Sequence, residues 1–306
     1  MSDPSAVLTV PRAAPAGTLQ RIRWQAVALV GTMAVVFYLV LGPLAIALLA
    51  TFRKKGTLPF EPGPFTLENY AEVFLDPSTW ALILNTLVFA GGSLILGMSL
   101  ALILGWLVER SDMPYHELMF SLIIAPMAIP GMMAAIAWIF LLHPKIGLFN
   151  IVVRWALGLD TPDGPLNIYT LWGMIFVEGI RMVPTIFLMT SGAFRSMDPA
   201  LEEASRVAGK SSLVTTFRIT LPLMWPAILA ALLYFLIVAM EVFEIPGVLG
   251  MNAGIHVFSV VISTSVWNMW EQGKESTASA LSVILILVLI GVNWFGRMAL
   301  GRMRSF

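Results

Sequence analysis

The sequence predicts an all-α membrane protein with six transmembrane helices. Three observations carry that reading. Of 306 residues, 58% are hydrophobic and 12% charged, against about 25% charged in an ordinary soluble domain. Mean hydropathy is +0.86 with a formal net charge of zero, as fits a chain whose main solvent is lipid. Six stretches reach the roughly 20 mostly apolar residues that a crossing helix needs. They are Trp24–Ala50, Trp80–Val108, Leu118–Leu142, Ile168–Thr190, Leu223–Gly250 and Ala278–Leu300.

Each stretch has its own mark. Arg21 and Arg23 precede the first, but its apolar run is much longer than a signal-peptide core. It reads as an uncleaved anchor after an N-terminal tail, residues 1–23. The second carries Ser93, Gly97, Ala101 and Gly105 on one face, where another backbone can approach closely, either within the chain or at a subunit interface. The third contains Pro126 and Pro130. Two missing donors four residues apart kink a helix near mid-membrane, which leaves a kinked packing helix or the lining of a transport path.

The fourth stretch holds Glu178 and Arg181 on a shared face, where they either neutralise each other or line the path. The fifth carries Glu241 and Glu244 in its outer half, just before Pro246. Two like charges in lipid are costly, so these two are expected to face an aqueous cavity or the outer mouth. There they either attract a cation or are simply solvated. The sixth is almost pure aliphatic over Leu281–Val292 and leads to a short tail, residues 301–306.

Lys and Arg placement sets the orientation. With the N-terminus inside, the inner segments hold Arg12, Arg21, Arg23, Arg110, Arg195, Arg206, Lys210, Arg218, Arg297, Arg302 and Arg304. The outer ones hold Arg53, Lys54, Lys55, Lys145, Arg154 and Lys274. Both termini are then cytoplasmic, although Arg53-Lys54-Lys55 argues the other way. In the outer loop His143–Asn167, Leu148–Leu159 has the spacing of a short interfacial helix.

Composition also excludes functions. Nucleic-acid binding needs a basic excess, and Lys+Arg equals Asp+Glu at 18 each. There is no cysteine, hence no zinc–thiolate site and no Cys nucleophile. His116, His143 and His256 stand singly at segment ends, without metal-ligand spacing. Neither a phosphate-binding Walker loop nor a Ser nucleophile elbow appears. The expectation is a non-catalytic chain that binds no cofactor.

The inner loop, residues 191–222, is more than a tether. Asp198-Pro199 is a helix start, with Asp as cap and Pro at the first position. Over Ala200–Ala208, Leu201, Ala204, Val207 and Ala208 form an apolar face, and Glu202, Arg206 and Lys210 a polar one. Gly209 breaks the helix, and a second short helix runs toward Leu221-Pro222. Such a face calls for a protein partner, or for lipid headgroups.

Glu203-Ala204-Ser205, three residues, Gly209, nine residues, then Ile219-Thr220-Leu221-Pro222 resembles the EAA loop of permease subunits of binding-protein-dependent ABC importers. The departure is Ser205, where that pattern usually has Ala. The resemblance implies a type I importer permease fold with a cytoplasmic coupling helix that docks on an ATPase subunit. It implies that Glu203, Ala204, Ser205, Gly209, Ile219, Leu221 and Pro222 serve that coupling and that ATP is used by the partner. It further implies a second permease half, a periplasmic solute-binding protein and a bacterial inner-membrane location. Ala125–Gly131 and Glu241–Pro246 are similar to segments of the ferric-iron subgroup, whereas polyamine, thiamine and sulfate permeases share the overall plan. Iron-subgroup permeases are often two such halves in one chain, so this chain is expected to be either a half-size subunit or one half of a longer product. A secondary transporter using Glu178, Arg181, Glu241 and Glu244 as its relay is the alternative of a different class. It leaves the EAA pattern unexplained.

Overall fold

A computed structural model describes residues 16–54, 63–267 and 275–303. Residues 1–15 of the N-terminal tail, with Arg12, lie outside the described residues, as do Lys55, Lys274 and Arg304.

The described chain is helical: α1 (Ala16–Thr51), α2 (Glu68–Leu75), α3 (Pro77–Arg110), α4 (His116–Ile124), α5 (Gly131–Leu142), α6 (Leu148–Leu157), α7 (Leu171–Ser196), α8 (Pro199–Val207), α9 (Ser212–Glu241), α10 (Pro246–Ala253), α11 (Phe258–Trp267) and α12 (Glu275–Met303). Five of these, α1, α3, α7, α9 and α12, are long and apolar enough to cross a bilayer. Two sharply bent helix pairs, one ending in α5 and one made of α10 and α11, complete the set.

Helices α3 and α7 form the centre. They run parallel, since Gly92 faces Ile175, Gly97 faces Gly179 and Gly105 faces Phe194 in the same order along both chains. A Cβ on Gly97 would lie 2.8 Å from the Gly179 carbonyl oxygen, and one on Gly105 2.8 Å from the Phe194 ring. Ser93, Gly97, Ala101 and Gly105 are all buried in this seam. The small-residue stripe is therefore an intramolecular packing surface, where absent side chains allow backbones to close up. Phe187 and Phe194 of α7 and Phe235 of α9 fill the core around it. Helix α1 stands at the edge against α12 and is exposed along most of its length.

Prolines decide where the bent pairs lie. The third expected span is not one kinked helix. It runs from His116 through a 3-10 turn, Ala125–Ala128, and breaks before Gly131, where α5 departs at 103°. Ile129, ahead of Pro130, takes extended angles (φ −90°, ψ 119°), as the residue before a proline tends to. The fifth expected span ends at Glu241 rather than at Gly250. A proline ring clashes with the carbonyl four residues back, and for Pro246 that carbonyl belongs to Val242. Val242 is extended (φ −59°, ψ 129°), and its oxygen accepts a hydrogen bond from Ser259 Oγ at 2.7 Å. The chain then forms α10, turns at Gly254 (φ +68°) and returns as α11, the two bent by 88°. This bent pair, inside a segment read as one span and a connection, is not foreseen from the sequence.

The short helix expected after Gly209 is not separate. It is the first turn of α9, which continues through a wide π-helical turn at Thr216–Thr220. Leu221 N–H reaches back five residues to the Thr216 carbonyl, and the next residue, Pro222, has no donor to place. At the other end of the molecule the expected helix after His143 forms as α6, closed by Gly158 at φ +62°. Leu148, Ile151, Val152 and Trp155 are exposed along it.

Candidate functional site

Two regions gather the residues singled out in the sequence. The first is the loop between α7 and α9. Asp198 caps α8 by accepting from the Ala200 N–H at 2.9 Å, and Pro199 takes the first helical position. The helix ends in a paired closure: Gly209 N–H donates to the Arg206 carbonyl at 2.9 Å and Lys210 N–H to the Ser205 carbonyl at 3.1 Å. That closure needs a left-handed residue, and Gly209 supplies it at φ +75°.

The packing of α8 reverses the usual amphipathic rule. Two polar residues face inward, while the apolar side and the remaining polar residues, Arg206 among them, face out. Glu202 and Ser205 are buried, while Leu201, Glu203, Ala204 and Val207 are exposed, Val207 at 90%. Across Gly209 the exposed surface continues with Leu213 at 68% and Phe217 at 67%.

Hydrogen bonds explain the inward face. The hydroxyls of Ser205 and Thr215 are 2.8 Å apart, and Thr220 Oγ1 donates to Glu202 Oε1 at 2.9 Å. Ser205, the one departure from the EAA pattern, thus holds α8 against the start of α9. Glu202 also faces Arg110, with Nε 3.5 Å from Oε1, and Arg110 Nη2 donates to the Met197 carbonyl at 3.2 Å. Beside it, Glu109 accepts from Ser191 Oγ at 2.7 Å and from Arg195 Nε at 2.9 Å. Arg195 in turn lies over the Phe120 ring of α4, 5.1 Å from its centroid. The last two residues of α3 therefore join α7, the α7–α8 link and α8. Sequence reading missed Glu109, Arg110 and Glu202 as a group, because α3 and α8 are far apart in the chain. The helical spacing of Glu202 and Ser205 was the available signal.

The second region is an open cavity of about 430 Å³ lined by Arg181, Val238, Glu241, Val242, Phe243 and Glu244. Arg181 holds the fully buried Glu178 with two nitrogens, Nε to Oε2 at 2.9 Å and Nη2 to Oε1 at 2.6 Å. Both bends contribute to this place. Glu241 is the last residue of α9 and Glu244 follows the break at Val242 and Phe243. Gly131, just after Pro130, sits against Glu244, since a Cβ there would lie 3.4 Å from the Glu244 Cβ. The structure thus brings Glu178, Arg181, Glu241 and Glu244 together, with Gly131 beside Glu244. Pro126, in the 3-10 turn, and Pro130, next to Gly131, are both exposed.

Residues 95–305 match the family described as binding-protein-dependent transport system inner membrane component. The chain belongs to this family. The permease resembles a ferric transport system permease protein of Actinobacillus pleuropneumoniae, 28% identical over 75% of this chain and 31% of that protein. The chain thus spans about a third of that relative's length. It resembles equally an osmoprotective-compound uptake permease of Synechocystis, 28% identical over 74% of this chain and 82% of the relative. A spermidine/putrescine permease of Haemophilus influenzae is 26% identical over 84% and 90%. Among solved structures, a bacterial ABC transporter involved in alginate import matches with a TM-score of 0.75 at 21% identity, covering 92% of this permease and 96% of that chain. The fold is accordingly that of ABC importer permeases, a transport component of the membrane.

Proposed function

We propose that the permease forms one half of a solute path in the bacterial inner membrane and receives ATP-driven motion through α8. The observation that carries this reading is the outward apolar edge of the loop at 191–222, formed by Leu201, Val207, Leu213 and Phe217 around Glu203 and Ala204. Exposed apolar surface of this kind, rimmed by charge, marks a contact with a protein or a membrane, and the Gly209 turn and the family pattern around it favour a protein. Its occupant is a cytoplasmic ABC ATPase subunit, which binds and hydrolyses ATP that this chain does not handle. Gly209 sets the turn that presents the edge. Ile219, Leu221 and Pro222 lead the wide turn into the fifth span. With α8 on the ATPase side, both termini are cytoplasmic and α6 lies on the periplasmic side, where a solute-binding protein delivers cargo. A second permease half completes the path.

The cavity at Arg181 lies on that path. Three carboxylates against one guanidinium favour a cationic solute, and we take ferric iron as the substrate. The likeness to the ferric permease supports this; the spermidine/putrescine relative is a second cation carrier that the same charge balance fits. An ion-gradient-driven carrier has no use for an apolar loop edge facing an ATPase.

Capture tests the proposal. Membranes carrying the tagged permease and its ATPase are solubilised, and the ATPase retained is measured. The unsubstituted chain is expected to retain it, and Glu203→Lys and Val207→Glu to lose it at equal permease levels. Retention unchanged in both variants would refute the assignment of this edge.

A further inference from the structure

We propose that Glu202, rather than only the exposed Glu203, is a positioning residue that transmits the movement of α8 to the spanning helices. This rests on the reading of α8 as the ATPase contact and deepens it. A docking helix does work only if its displacement reaches the helices that line the path. Leu201, Glu203, Ala204 and Val207 of α8 face solvent and can bind a partner, but none of them ties α8 to the bundle. Glu202 does. Its carboxylate is buried, accepts from Thr220 at 2.9 Å and stands 3.5 Å from Arg110 Nε. One side chain thus links α8 to the base of α9 and to the end of α3.

The surroundings make this link stiff. Arg110 is itself tied to the Met197 carbonyl, and its neighbour Glu109 is bound by Ser191 and Arg195 of α7. Pushing α8 therefore moves α3, α7 and α9 as one unit, and α7 and α9 carry Arg181 and Glu241 to the cavity. Arg110 Nε is buried without a hydrogen-bond partner. The nearest carboxylate oxygen, on Glu202, is one small shift from supplying it, so the clasp has a tighter state within reach. Breaking the clasp leaves the outer edge of α8 intact, and that separates transmission from docking.

The test uses the full permease–ATPase complex and no solute. The native chain has no cysteine, so Val238→Cys places a single thiol in the cavity wall. Its rate of reaction with a membrane-impermeant maleimide is measured without nucleotide and with ATP plus vanadate. In the otherwise unsubstituted permease the rate is expected to change by about 5-fold or more, the scale of ordinary coupling between sites. With Glu202→Ala, or with the shape-conserving Thr220→Val, the change is expected to fall below about 2-fold while the ATPase stays bound and hydrolyses ATP. A full ATP response in both variants would overturn the proposal. Loss of the ATPase from both would also overturn it, because Glu202 would then serve docking. Failure of the unsubstituted permease to hold an ATPase would instead overturn the preceding reading of α8.

Discussion

Arg181 and Glu178 lie one helical turn apart in α7 and meet through two hydrogen bonds, at 2.9 and 2.6 Å, with Glu178 fully buried. Removing the guanidinium leaves a buried charge without a partner, which costs about 3–5 kcal/mol, whereas replacing both groups by apolar ones is often close to neutral. Arg181→Met is therefore expected to lower the thermal transition of the purified permease sharply. Glu178→Leu combined with Arg181→Met is expected to recover most of the loss. A double variant no more stable than Arg181→Met alone would count against the pair as a self-neutralising unit.

The α3–α7 seam depends on missing side chains. Gly97→Val forces a branched side chain against the Gly179 carbonyl, and overpacking of this kind costs about 1–3 kcal/mol. A Cβ on Gly91 meets nothing within 4 Å. Gly97→Val is expected to lower the yield of monodisperse permease, and Gly91→Ala to leave it unchanged.

Ser205 occupies a position where the family pattern usually has Ala. Its bond to Thr215 is one neutral hydrogen bond, worth about 1 kcal/mol, and Thr215 keeps its second bond to the Ser211 carbonyl. Ser205→Ala is thus expected to cost little stability and to preserve transport. Gly209→Pro is expected to abolish transport, because proline cannot adopt φ +75°. Uptake by the two variants, compared at equal membrane levels, checks both.

Ser259 supplies a hydroxyl to the break after α9. Ser259→Ala leaves the Val242 carbonyl without the donor it has at 2.7 Å, a loss of about 1–3 kcal/mol for a buried group. The thermal transition is expected to fall accordingly, and a variant as stable as the parent would show that the carbonyl finds another donor.

Helices dictated by local composition were legible in the sequence. The aliphatic runs of α1, α3 and α12 need only length and hydropathy, and the Asp198-Pro199 start and Gly209 end of α8 are local chemistry. Two things were not legible. One was how far a proline bends the chain: Pro130 and Pro246 were visible, but a mild kink and a full break have the same sequence signature, and the difference lies in whether a distant group such as Ser259 accommodates the freed carbonyl. The other was the direction in which α8 faces. Its apolar side was visible, but which side turns inward depends on Arg110 and Thr220, which arrive from other helices and hold the buried Glu202.

The proposed path through the cavity makes its charges testable. Glu241→Gln with Glu244→Gln removes two of the three carboxylates around Arg181. Uptake of radiolabelled ferric iron, supplied through the cognate binding protein, is expected to fall while ATPase capture is kept. Unchanged uptake would remove these groups from the path.

The most direct test of the central claim is the energy source of transport. Solute uptake is measured in cells carrying the permease with and without its ATPase subunit, and in cells whose proton gradient has been collapsed while ATP is maintained. The predicted result is uptake that requires the ATPase, survives loss of the gradient and disappears with Glu203→Lys. Uptake that persists without any ATPase and collapses with the gradient would contradict it.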